Sequence, residues 1–171
     1  MATIGLFFGS TDGATAQIAE RIRVLLAEAG HEAECYDVGE FFLEDMADFD
    51  HIILGVPTWN VGQLQADWDE VIDEFETLDL RGTDVAVFGL GDQIGYPDTF
   101  VDAIFFLADK AQSRGARIVG RWPTAGYQFE RSWAVVDGDF VGLALDELNQ
   151  PELTEPRLRR WLAVILAEMG I

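Results

Sequence analysis

The sequence predicts a doubly wound α/β fold on a parallel sheet. Three observations carry that expectation. Short apolar runs alternate with longer amphipathic ones along all 171 residues. The short runs are apolar on both faces, as strands covered from both sides are. No linker, repeat or low-complexity tract interrupts the alternation, so residues 1–171 read as one domain with one core.

The first run, "TIGLFFG" (3–9), is too short for a helix. In 14–29, Ile18, Ile22, Leu25, Leu26 and Ala29 share one helical face, and Gly30 supplies the stop. "EAECYDV" (32–38) and "HIILGVP" (51–57) read as the second and third strands. Trp68, Val71, Ile72 and Phe75 repeat at helical spacing in 67–76. "DVAVFGLG" (84–91) is the fourth strand, and a stripe of Val101, Ile104, Phe105, Ala108 and Ala111 predicts a helix over 98–114, ended by Gly115. "RIVGRW" (117–122) begins the fifth strand. The last helix spans 154–169, where Thr154 can cap, Pro156 suits the first turn, and Leu158, Leu162, Ile165 and Met169 face inward. The glycine- and aromatic-rich stretch 123–147 has no helical period. It reads as an insertion that interrupts or extends the fifth strand, with a hairpin around Asp137-Gly138 and more strand in "FVGLALD". A packed surface excursion and a partner-binding element are both open for it.

Composition narrows the function classes. Hydrophobic residues make up 49% of the chain, enough for a core. Acids outnumber bases 31 to 11, for a net charge of −20. Such a chain repels nucleic acid and anionic membranes and draws basic protein surfaces toward it. Cys35 is the single cysteine, so an internal disulfide is impossible and secretion gains no support. The N-terminal "MATIGLFFGS" lacks basic residues before its apolar run and has no cleavage site, and no apolar run approaches the roughly 20 residues that span a bilayer. The expected location is the cytoplasm.

Three loops at the carboxyl edge of the sheet carry chemistry. "GSTDGAT" (9–15) joins the first strand to the first helix. Backbone N–H groups and the helix dipole can hold an anion there without a lysine, and Ser10, Thr11 and Thr15 add hydroxyls. The loop lacks the Gly-Lys-Ser/Thr of nucleotide-triphosphate sites and the Gly-x-Gly-x-x-Gly of dinucleotide sites. Alone it reads equally as a capped helix start. "GVPTWNVGQLQADW" (55–68) puts Trp59 on the loop after strand three, where packing and stacking on a flat ligand are both open. "GLGDQIGYPDTF" (89–100) puts Tyr96 on the loop after strand four. Together they surround the expected topological switch point and favour a planar, phosphorylated ligand.

"IGLFFGSTDGATAQIAERI", "VPTWNVGQLQADW", "FGLGDQIGYPDTFVDAI" and "FVGLALDELNQ" closely resemble the long-chain flavodoxins, with little shift in spacing over essentially the whole chain. The resemblance implies a flavodoxin-like doubly wound five-stranded parallel sheet of order 2-1-3-4-5, helices on both faces and an insertion in the fifth strand. It implies one non-covalent FMN. Ser10, Thr11, Asp12, Gly13, Ala14 and Thr15 would hold the phosphate, and Trp59 and Tyr96 would sandwich the ring. The Asn60–Val61 peptide would lie near flavin N5 and turn its carbonyl toward it on the first reduction. Backbone amides around Leu90, Gly91 and Asp92 would meet the pyrimidine edge, and Pro57, Thr58, Gly62 and Thr99 complete the contacts. The loop departs from the family pattern at Asp12, where a threonine is usual, and at Ala14, where a lysine is frequent. Asp12 deletes a hydroxyl donor and adds a like charge, unless it turns outward to cap the first helix.

The implied role is low-potential one-electron transfer by a monomer, with the protein tuning a cofactor that does the chemistry. No base in the matched motifs neutralises an anionic reduced flavin. Each carboxylate about 10 Å away adds roughly 0.4–1.7 kcal/mol of repulsion at an effective dielectric of 20–80. The implied partners are basic redox proteins such as a ferredoxin–NADP reductase, nitrogenase reductase or photosystem I, with no nucleic acid and no membrane insertion. A flavodoxin-like FMN-dependent quinone or flavin reductase is the enzymatic alternative, against which Tyr96 is expected to cover the flavin. A receiver domain would need an acidic pair and a phospho-acceptor aspartate where "GSTDG" and "VPTWN" stand. His31 and His51, which have no partner at metal spacing, read as surface residues. Cys35, Met46, Trp122, Trp133 and Trp161 read as packing.

Overall fold

The computed structural model describes residues 3–59 and 61–171. Strand β1 (Thr3–Phe8) buries Ile4, Leu6 and Phe7 completely, as expected of a strand covered on both faces. It pairs in parallel with β2 (Glu32–Asp37) on one side and β3 (His51–Trp59) on the other. Strand β5 (Asp84–Leu90) pairs in parallel with β3 over seven residues, from His51↔Asp84 to Pro57↔Leu90. The outer edge of β5 is shared. β6 (Arg117–Val119) pairs with Asp84–Ala86, and β10 (Leu143–Leu145) pairs with Phe88–Leu90. The fifth strand is thus two half-strands in line, split by the insertion, and the order is the expected doubly wound one.

Helices α1 (Ala14–Glu28) and α4 (Thr154–Met169) pack against each other on one face of the sheet. Helix α3 (Asp102–Ser113) lies against β3 and β5 on the other. The buried indoles of Trp68 and Trp161 are both satisfied, donating to Gly55 O at 2.8 Å and Gly120 O at 2.9 Å. Met46 and Trp122 are packing residues too, at 1% and 5% exposure.

The insertion forms a small antiparallel sheet of β7 (Trp122–Pro123), β9 (Asp139–Phe140) and β8 (Val135–Val136), in that order. The expected hairpin is present: Asp137 and Gly138 both take positive φ between β8 and β9.

Several expectations need correction. The helix expected over 67–76 is α2 (Ala66–Val71) followed by 3₁₀ turns over Ile72–Thr77. A burial stripe fixes which face turns inward, and Trp68 and Phe75 do so, but it does not fix whether bonds close at three or four residues. The helix expected from 98 begins at Asp102, because Val101 leaves the helical region with φ 50. Cys35 is exposed, since β2 is an edge strand. Trp133 is 64% exposed. Both histidines are half-buried, and His51 Nδ1 stands 3.5 Å from Asp84 Oδ2. A 3₁₀ segment over Leu43–Asp48 and the short hairpin strand β4 (Gln63–Leu64), which pairs with the end of β3, carried no clear period in the sequence.

Candidate functional site

A cleft of about 270 Å³ opens at the carboxyl edge of the sheet. Thr11, Asp12, Ala14, Pro57, Thr58, Trp59, Leu90, Gly91, Asp92, Tyr96 and Thr99 line it. The three loops singled out by sequence therefore meet. Ser10, Gly13 and Thr15 belong to the same loop but do not line the cleft. Val61 and Gly62 line neighbouring grooves, Val61 beside Trp133 and Gly62 beside Trp59. Asn60 lies outside the described residues. Phe100, Val101, Glu147 and Leu148 also line the cleft and were not anticipated. Glu147 and Leu148 follow β10, so the rule that ligands sit beyond strand ends reaches them once the fifth strand is known to be split.

The loop between β1 and α1 is tightly packed at its start against Gln65 and Trp68. A Cβ on Gly9 would stand 2.2 Å from Gln65 Oε1 and 2.7 Å from Trp68 Cδ1, so only glycine fits there. Gly13 takes φ 91 and caps α1 without a side-chain bond. Gln65 is fully buried; its Nε2 donates to Thr11 Oγ1 at 3.0 Å and its Oε1 accepts from Trp68 N at 3.3 Å. Ser10 Oγ accepts from Ala16 N at 3.3 Å. Each hydroxyl used as an acceptor keeps its own hydrogen to donate.

Two features of this loop bear on an anion. Thr15 is 1% exposed, and its Oγ1 has no hydrogen-bond partner among the described residues. Asp12 Oδ1 accepts from Ala14 N at 3.0 Å. An internal carboxylate therefore occupies one amide at the helix start, where the dipole favours negative charge. None of the described lining residues is basic, and Asp12, Asp92 and Glu147 place acids on the walls.

The opposite wall is saturated with hydrogen bonds. Asp146, fully buried, accepts from Gln93 N and Nε2, Leu148 N, and Asn149 N and Nδ2, between 2.8 and 3.2 Å. Asp92 Oδ1 accepts from Gly95 N at 2.7 Å, Asn149 Nδ2 at 2.8 Å and Ile94 N at 3.1 Å. The Gly95 amide, chief among these, holds the Asp92 carboxyl below its ordinary range. Tyr96, whose N–H donates to Asp92 O, stands at the end of this turn, 46% exposed. On the β3 side, Thr58 Oγ1 accepts from Ala103 N at 3.1 Å and ties the strand end to the start of α3, beside a half-buried Trp59. The cleft thus has two aromatic side chains near its mouth and a hydroxyl-rich helix start at one end.

Comparison with known proteins gives a consistent result. The family model described as Flavodoxin matches residues 6–161. A flavodoxin of Picosynechococcus sp. is 47% identical over 172 residues, covering 100% of both chains. Flavodoxin 1 of Escherichia coli is 45% identical, covering 100% of this chain and 97% of its own. A crystal structure of Fusobacterium nucleatum flavodoxin bound to flavin mononucleotide matches with TM-score 0.93 at 33% identity, covering 98% of this chain and 99% of that one.

Proposed function

The chain belongs to the flavodoxin family, and from that premise we propose that it is a one-electron carrier holding one FMN non-covalently in the cleft. The observation that carries the ligand is the buried Thr15 hydroxyl, without a partner among the described residues, at a helix start that opens onto the cleft shared by Trp59 and Tyr96. A buried hydroxyl without a partner costs roughly 1–3 kcal/mol, which a phosphate oxygen relieves. The residues present fit FMN. Ser10–Thr15 offer hydroxyls and helix-start amides to the phosphate, Trp59 and Tyr96 offer faces for a planar ring, and Leu90–Asp92 offer backbone at the far wall. Bound there, the flavin supplies one-electron chemistry, and the protein's part is to hold it, shield it and bias its potentials through charge.

The acids on the cleft walls and the net charge of −20 support low potentials and basic redox partners. Ferredoxin–NADP reductase, nitrogenase reductase and photosystem I fit that chemistry. We read the chain as one domain, acting as a monomer in the cytoplasm; no described helix is long and apolar enough to cross a membrane. We also read it as a carrier without a substrate of its own, which predicts no turnover of NAD(P)H with quinone or free flavin by the isolated protein. Extraction and chromatography of the bound flavin test the reading. FMN at one equivalent is expected; FAD, or no flavin from protein made with flavin available, overturns it.

A further inference from the structure

Val101 is buried, lines the cleft and takes φ 50. Left-handed backbone is disfavoured for any residue with a Cβ, and a β-branched residue there is an outlier. Such a conformation persists only where the surroundings over-determine it. The insertion supplies the restraint on both sides. Ser132 Oγ donates to Phe100 O, and Trp133 N donates to Asp102 Oδ1 at 2.8 Å. Just before them, the N–H groups of Glu130 and Arg131 donate to Pro97 O at 2.7 and 2.9 Å.

Asp102 reaches a second loop as well. It is 2% exposed, and a Cβ added to Gly62 would stand 2.7 Å from its Oδ2. Its carboxylate is thus wedged between the insertion and the turn that follows Trp59. Burial pushes the Asp102 carboxyl above its ordinary range, against the opposing pull of the Trp133 amide. A buried acid in this setting needs its neighbours in place, and its neighbours are the two segments it joins.

We propose that Ser132, Trp133 and Asp102 form a clamp through which the insertion positions Val101 and the Val61–Gly62 turn at the cleft, with Asp102 as the positioning residue. The clamp gives the insertion a role inside the protein, whatever else its surface does. The proposal rests on the FMN reading only for its redox readout.

Two measurements test it. The first needs no flavin: amide hydrogen exchange in the apoprotein. Asp102→Ala and Ser132→Ala should each speed exchange at Trp133 and at Val61–Gly62 by about tenfold, the loss of roughly one hydrogen bond's worth of local stability, with β5 unchanged. Asp102→Asn keeps an oxygen for the Trp133 amide and should stay within about threefold of the parent. Unchanged exchange at Val61–Gly62 in both alanine variants overturns the clamp. If Asp102→Ala does not fold, Ser132→Ala carries the same readout. The second measurement is the pair of one-electron potentials of the FMN-loaded protein. The first reduction adds an electron and a proton, so a distant charge leaves it nearly unmoved, whereas a loosened turn does not. Asp102→Ala should make the first potential less negative by about threefold in the equilibrium, roughly 30 mV. A change confined to the second potential would mark a bare charge effect and contradict positioning. Failure to load FMN overturns the FMN reading and leaves the exchange test intact.

Discussion

The two ends of the cleft solve opposite problems. At the Asp92–Tyr96 wall the carboxylates are heavily hydrogen-bonded, and Asp146 alone accepts five hydrogen bonds. At the helix-start loop, a buried Thr15 hydroxyl has no partner among the described residues and an exposed Asp12 sits on an amide. The first wall is finished by folding. On the proposed FMN reading, the second is finished when the phosphate arrives. Stability and affinity should therefore separate: changes at the saturated wall should unfold the protein, and changes at the loop should alter binding.

The largest effect should come from Asp146→Ala. It strands the two buried Gln93 donors and three part-buried ones from Leu148 and Asn149, so stability of the apoprotein should fall by about 3 kcal/mol or more, read by chemical denaturation. A loss below about 1 kcal/mol would mean the wall is not held as described. Next comes Asp12→Thr. It frees the Ala14 amide, removes a like charge and restores a hydroxyl, so FMN binding should tighten by about 1–2 kcal/mol. Riboflavin, which lacks the phosphate, should bind as before. Titration of apoprotein at fixed salt and pH reads both, and equal gains for the two flavins would remove the phosphate from the explanation. The smallest effect concerns Asp92. Its carboxyl is held below its ordinary range, so its contribution is present above the unfolded value of about 4 and is lost as pH falls through the lower folded value. Asp92→Asn should lower stability slightly at neutral pH, where the carboxylate contributes, and flatten the acid limb below pH about 4, so that variant and parent converge at low pH. An unchanged acid limb would contradict the assignment.

Much of this is legible in the sequence alone. Strand–helix alternation fixed the architecture, and glycine spacing with Trp59 and Tyr96 marked the loops that meet. Partnerships across the chain were not legible. Cys35 lies in a run that looks like core, but exposure follows from β2 standing at the sheet edge, a property of strand order and not of the run itself. Gln93 and Asp146 are 53 residues apart and carry no joint signal. Val101 belongs to a helical stripe, and no local propensity announces φ 50 in a valine. Asp12 was open between pointing outward as a cap and facing the phosphate. The Ala14 bond shows that its carboxylate engages the helix start itself.

The most direct test of the unfinished loop is Thr15→Val, which keeps shape and deletes only the hydroxyl. Apoprotein stability and the affinities for FMN and riboflavin should be measured on the same preparation. The account predicts an apoprotein as stable as the parent or more so, FMN binding weaker by about 1–2 kcal/mol, and riboflavin binding unchanged. A destabilised apoprotein with FMN affinity intact would contradict it.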